Sequence, residues 1–95
     1  MLGVLFLVAL VLVAVVVAQS VRQGRRFIRA ATYLHELEGG RPAPEAHAAA
    51  EILFTSDSSA AADAHAAQLA EARRKRTGES QAQVIGAARA RGFEG

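Results

Sequence analysis

Seventeen consecutive residues near the start of the chain, from Leu2 to Ala18, carry no polar side chain. As an α-helix this run is about 26 Å long, because each residue adds about 1.5 Å. Gln19, Ser20 and Val21 extend it towards the roughly 30 Å thickness of a bilayer hydrocarbon core. Leu, Val and Phe each favour insertion by roughly 0.3–0.6 kcal/mol, and no charge opposes them. The pattern predicts a transmembrane anchor over residues 1–21.

A second apolar pattern follows the span, with Phe27, Ala31 and Leu34 at helical spacing. It predicts a juxtamembrane amphipathic helix over residues 22–38 that continues the span, with Gly24 as a weak point for a bend. Two glycines followed by Arg-Pro-Ala-Pro end this helix, so residues 39–44 are predicted to form a Gly/Pro linker.

The remaining residues, 45–95, form a predicted Ala-rich helical tail. Gly and Ser positions divide it into helices over Pro44–Phe54, Ser58–Arg76 and Ser80–Ala90. Thirteen of the thirty residues from position 43 to 72 are Ala, which favours helix but buries little surface. The predicted fold class is all-α: one N-terminal transmembrane helix that continues into an amphipathic helix, then short Ala-rich helices without a sizeable core.

Charge is distributed in blocks that the net value of +2 conceals. Residues 19–32 carry four arginines and no acid, residues 33–72 one Arg against seven acids, and residues 73–95 six bases against two acids. The positive-inside rule places the arginine side of the span in the cytoplasm and the amino end outside, in the cytoplasmic (inner) membrane. High Ala and Arg content favours a bacterial source. The four residues predicted to fix topology and bind anionic lipid are Arg22, Arg25, Arg26 and Arg29.

A cleaved signal peptide is the alternative interpretation of the apolar run, with a small-residue cleavage site before Gln19. Three features favour the anchor. The run exceeds the usual length of about 7–15 residues and is preceded by no Lys or Arg, and the arginines that follow it oppose export.

Few residues indicate a catalytic or metal-binding site. The chain has no Cys, which excludes disulfides and thiolate sites. His35-Glu36 lacks the second His of a metalloprotease motif, and His47 with Glu51 lacks a third metal ligand. Serines 58, 59 and 80 precede predicted helices and suit capping better than nucleophilic catalysis. We therefore expect a non-catalytic protein with no metal and no cofactor.

A second basic cluster ends the predicted third helix, where cations are favoured by the helix dipole. Contact with lipid or protein is a weaker interpretation, and nucleic acid is the least favoured partner because no aromatic residue is near for base stacking. This possible anionic contact consists of Arg73, Arg74, Lys75 and Arg76.

Apolar side chains beyond the span exceed what so short a tail is expected to cover, which predicts an accessory or assembly subunit that binds a larger membrane protein complex. The predicted contact residues are Phe27, Ile28, Leu34, Leu37, Leu53 and Phe54.

A self-assembling or translocation-type component is the alternative function. Residues 1–38 resemble in layout the pore-forming small subunit of the twin-arginine translocase, with Gln19-Ser20-Val21 in place of that family's Phe-Gly hinge. The resemblance implies homo-oligomers. A valine stripe at positions 4, 8, 11 and 15 and the pair Ala14 and Ala18 offer faces for helix association, but plain lipid contact is the favoured interpretation in a span built of Val, Leu and Ala.

Overall fold

The computed structural model describes residues 2–94, which form four α-helices and no β-strand. Met1, in the predicted anchor, and Gly95, in the predicted tail, lie outside the described residues. The all-α prediction is confirmed. The helices are α1 (Leu2–Glu38), α2 (Ala43–Glu51), α3 (Ala60–Thr77) and α4 (Gln81–Ala90).

Helix α1 joins the predicted span and the predicted amphipathic helix in one run of 37 residues that passes through Gly24 without a break. Its most apolar 18-residue window has a mean hydropathy of 2.9, and none of that window is buried. By length and composition α1 can cross a membrane, and a signal sequence near the N-terminus has the same properties.

The three short helices pack on the second half of α1, where they enclose a small core. The largest fully buried side chains are Tyr33, Phe27, Leu34 and Val84. Seven of the fourteen buried hydrophobic residues in the described part of the chain are Ala. Because Ala buries little area, this core is held by a few large side chains from α1 and α4. We call the unit formed by residues 22–94 the cap.

The turn between α2 and α3 is longer than predicted. Helix α2 ends at Glu51 rather than at Phe54, since Phe54 has a left-handed backbone (φ +62°) and its amide donates to Asp63 Oδ1 at 3.1 Å. Helix α3 begins at Ala60 rather than at Ser58. Ser59 is its N-cap and accepts from the Ala62 amide at 3.0 Å, whereas Ser58 Oγ donates to Asp63 at 2.6 Å.

The other helix ends follow the expected capping chemistry. Gly78 ends α3 with φ +73°, and its amide donates to the carbonyl of Arg74 at 2.9 Å. Ser80 begins α4 with a capping box, in which Ser80 and Gln83 satisfy each other's backbone amides. These two helix-capping interactions fix the path of the chain between α3 and α4.

Candidate membrane-proximal interface

Tyr33 joins the end of the chain to α1. Its ring is fully buried, 4.7 Å from the ring of His47 and 5.5 Å from that of Phe93, measured between centroids. Its hydroxyl donates to the Arg91 carbonyl at 2.6 Å. Gly92 adopts φ +102°, and a Cβ there would lie 3.2 Å from the Tyr33 hydroxyl. This aromatic contact fixes the end of α4 against α1.

Two of the four arginines that follow the apolar run face the α2–α3 turn. Arg29 donates to the Leu53 carbonyl through Nη2 at 2.7 Å and Nε at 3.3 Å. The guanidinium carbons of Arg25 and Arg29 lie 5.3 and 5.8 Å from the centroid of the Phe54 ring, a distance typical of cation–π contacts. Arg25 and Arg29 therefore hold the turn onto α1.

A carboxylate completes this turn. Hydrogen bonds from the Ser58 hydroxyl and from the Phe54 amide lower the pKa of Asp63, and the charges of Arg25 and Arg29 lower it further. Asp63 thus remains ionised at neutral pH and stabilises both the turn and the first turn of α3.

The other two arginines face α4. Arg22 and Arg26, one helical turn apart on α1, line a groove of about 440 Å³ together with Arg89 of α4. The amides of Gln19 and Gln23 complete the α1 side of the groove. Among residues 2–94, no acidic side chain lines it. We call this site the α1–α4 groove.

A larger groove of about 580 Å³ lies among α1, α2 and α3. Its apolar wall includes Ile52 and Leu69, whose exposed fractions are 47% and 41%. Beyond Val21 these are the large apolar side chains that the described residues leave exposed. Arg73 lies at its edge, where its Nη1 pairs with Glu38 while its buried Nε has no hydrogen-bond partner. We call it the α1–α3 groove; His35, His65 and Arg76 also line it.

The predicted partner-contact residues lie mostly inside the cap. Phe27, Leu34 and Leu53 are buried, and the other three, Ile28, Leu37 and Phe54, are half-buried. The chain's own helices cover them, although α2 to α4 are short. Contact of these six residues with a partner stays a prediction, and it requires the cap to open.

The predicted anionic contact is divided between internal ion pairs and surface. Arg73 pairs with Glu38, and Arg74 pairs with Glu71 at 3.1 Å. Lys75 and Arg76 are exposed. The first two cations thus link the basic end of the chain to the acidic middle block, which weakens their availability to an external anion.

Side chains that could bind a metal or take part in catalysis are scattered in the part of the chain that the structure describes. His47 packs against Tyr33, whereas His35 and His65 line the α1–α3 groove. Within residues 2–94 no three His, Cys, Asp or Glu side chains are grouped so that they could hold a metal ion. No protein-family model, curated protein or solved structure matches the chain.

Sequence reasoning missed two residues of this interface. Arg89 lies seven residues after Ala82 and four residues after Ile85. Helical spacing alone therefore predicts that the three side chains share one face of α4. The sequence identifies Tyr33 only as an apolar helix position, and its hydrogen bond to Arg91 joins residues that are 58 positions apart. No local pattern carries such a contact.

Proposed function

We propose that the chain is a non-catalytic, single-pass membrane accessory subunit whose cap binds a larger protein complex. One observation carries the proposal. The apolar half of α1 is exposed, whereas among residues 22–94 the large apolar side chains are buried or half-buried except Ile52 and Leu69. A protein with such a division needs an apolar phase for one part only, which is what a membrane anchor with an attached cap requires.

The arginines support one orientation. All four lie at the end of the span that joins the cap, and Arg22 follows the apolar run by only four residues. Basic residues this close to a span are retained on the cytoplasmic side. We propose that the cap faces the cytoplasm, at the surface of the cytoplasmic membrane.

The α1–α3 groove is the surface we assign to the partner. An amphipathic helix of a membrane protein complex fits it, with apolar side chains over Ile52 and Leu69 and an acidic side chain near Arg76. Because α1 is continuous, the cap is carried close to the bilayer, where it meets segments of other membrane proteins.

Self-assembly through the span is the second candidate. A shallow depression of about 260 Å³ on α1 is lined by Val4, Leu7, Val8, Val11 and Leu12, and it includes three valines of the predicted stripe. A neighbouring copy of α1 can pack its side chains into such a depression.

The test is purification of the intact chain in mild detergent, with mass spectrometry of its N-terminus and of its companions. We expect an uncleaved chain with stoichiometric partners that are lost in the double variant Ile52→Asn, Leu69→Asn. The matched control is Ala61→Asn, Ala64→Asn, which changes two exposed positions of the same helix region. Copies of this chain alone would favour self-assembly, and a chain beginning at Gln19 would contradict the anchor.

A further inference from the structure

The α1–α3 groove lies between two helices that run in the same direction. The first turn of α3 contains Asp63, which accepts from the Phe54 amide in the turn that Arg29 holds onto α1. Near the other end of α3, Arg73 pairs with Glu38, the last residue of α1. Both helices therefore lead away from the apolar run, and the groove extends between them in that direction.

The α3 wall of this groove is one helical stripe whose chemistry changes along its length. The stripe passes, in steps of three or four residues, through Ala62, Ala66, Leu69, Arg73 and Arg76. It is apolar near the α2–α3 turn and cationic at the far end. From Leu69 to Arg73 the helix rises about 6 Å, at about 1.5 Å per residue. A partner helix matches this separation with an apolar and an acidic side chain one turn apart.

The acidic side chain that lines the groove is already paired. Glu36 of α1 binds Nε of Arg41 at 2.8 Å, and Arg41 is not among the lining residues. Within residues 2–94, no other Asp or Glu side chain lines the groove. Its far end therefore carries an excess of positive charge, from Arg73 and Arg76, that complements an acidic partner.

Arg73 binds Glu38 through a single nitrogen. Its Nη1 donates to the Glu38 carboxylate, whereas its Nε is buried and has no partner among residues 2–94. A guanidinium presents Nε and Nη2 as a parallel pair of donors, which a carboxylate accepts with both of its oxygens. A small rotation of the Arg73 guanidinium towards the groove presents this pair to an incoming carboxylate. Because Nε has no acceptor to lose, the rotation sacrifices no hydrogen bond there.

We propose that the α1–α3 groove selects its partner helix by an Asp or Glu carboxylate that binds the Nε–Nη2 edge of Arg73, one helical turn from an apolar side chain over Leu69. It rests on the proposed function, because it names the chemistry of the partner at the groove assigned there. Arg76, one turn further along α3, is exposed and adds to the attraction. Arg73 thus sets the specificity of the groove, and Ile52 and Leu69 supply its apolar contact.

The experiment measures binding of two synthetic helical peptides to the full chain in nonionic detergent micelles, by fluorescence anisotropy. Both peptides are Ala-rich, about 15 residues long, and carry a pair of Leu residues one turn apart. One peptide has Glu a further turn along, and the other has Gln there. We expect the Glu peptide to bind roughly tenfold more tightly, because only it forms a charge-assisted pair. Arg73→Gln should abolish this difference and leave the affinity of the Gln peptide unchanged.

Matched variants separate this pairing from net charge and from folding. Arg74→Gln removes the same charge from a neighbouring residue that does not line the groove, so the difference between the peptides should persist. Glu38→Gln releases Nη1 of Arg73 and should keep or strengthen binding of the Glu peptide. Arg73→Lys keeps the charge but lacks the planar fork, and should bind the Glu peptide more weakly than the wild-type chain does.

Equal affinity of the wild-type chain for both peptides would overturn the role of Arg73, while the groove would stand if Ile52→Asn, Leu69→Asn abolishes that binding. Equal weakening of both peptides by Arg73→Gln, or loss of the Glu peptide in Glu38→Gln, would show that Arg73 only supports the shape of the groove. Dimers that exclude the peptides and dissociate in Arg73→Gln would overturn the choice of partner in favour of a second copy. Absence of binding by either peptide contradicts the groove and the pairing together.

Discussion

The contact between Tyr33 and Gly92 holds the end of α4 against α1, and its contribution to the free energy of unfolding can be tested quantitatively. Tyr33→Phe removes one partly buried hydrogen bond to the Arg91 carbonyl, and we expect it to lower the free energy of unfolding by about 0.5–1.5 kcal/mol. Gly92→Ala places a side chain on a backbone with φ +102°, which costs about 1–3 kcal/mol. Its new Cβ would also lie 3.2 Å from the Tyr33 hydroxyl, tighter than an ordinary contact.

These two substitutions are expected to be coupled. Once the hydroxyl is absent, the Cβ of Ala at position 92 has room, and only the backbone cost persists. The double variant should therefore be more stable than the sum of the single effects predicts, by roughly 0.5–1 kcal/mol. Gly40→Ala is the matched control, because Gly40 has φ +91° and a Cβ added there would have no contact within 4 Å beyond its chain neighbours. It should combine additively with Tyr33→Phe.

The assay is urea unfolding of the full chain in detergent micelles, followed by circular dichroism at 222 nm. We expect the micelle to hold the apolar half of α1, so that the loss of signal reports on the helices of the cap. Additivity of Tyr33→Phe with Gly92→Ala, within the roughly 0.3–0.5 kcal/mol found for independent sites, would refute the contact. Coupling of the same size with Gly40→Ala would show that the effect is not local.

Three further predictions concern separate parts of the chain. Ser80→Ala removes the capping box of α4 and should cost about 1 kcal/mol, seen as faster amide exchange in α4 than in a Ser56→Ala control. The pKa of Asp63 lies below its ordinary value of 3.8, so its carboxylate stabilises the fold above that pH. This contribution is lost as the pH falls through the lower folded value, and Asp63→Asn should flatten that part of the acid unfolding curve; an unchanged curve would contradict the assigned hydrogen bonds. Leu10→Arg should cost roughly 3–4 kcal/mol of insertion free energy and increase extraction of the chain from membranes by alkaline carbonate, whereas Leu10→Ile should not.

Helix positions were predictable because their causes are local. The Gly39-Gly40 pair, the Gly78 cap and the Ser80 capping box each act within a few residues, and all three end or begin helices where expected. The end of α2 was predicted wrongly because its cause is not local. Phe54 leaves the helix because its amide meets Asp63, a residue nine positions away that capping rules do not consider.

The candidate site was less predictable because it depends on contacts between distant residues. The four arginines after the apolar run form one block in the sequence. In the structure Arg25 and Arg29 contact the α2–α3 turn, whereas Arg22 and Arg26 line the α1–α4 groove. Likewise Phe27 and Leu34 have the spacing of an exposed apolar face, and only the packing of the later helices shows that this face is covered. Helical periodicity identifies a face but not what lies against it.

Thiol labelling tests the proposed topology of the chain, since the chain has no Cys and each introduced Cys is unique. Gly3→Cys and Ser56→Cys place one thiol at the amino end and one on the exposed turn of the cap. In bacterial spheroplasts treated with a membrane-impermeant maleimide, we expect labelling at position 3, and labelling at position 56 only after lysis. Labelling at position 56 in intact spheroplasts, or a secreted chain that begins at Gln19, would contradict a membrane-anchored protein with a cytoplasmic cap.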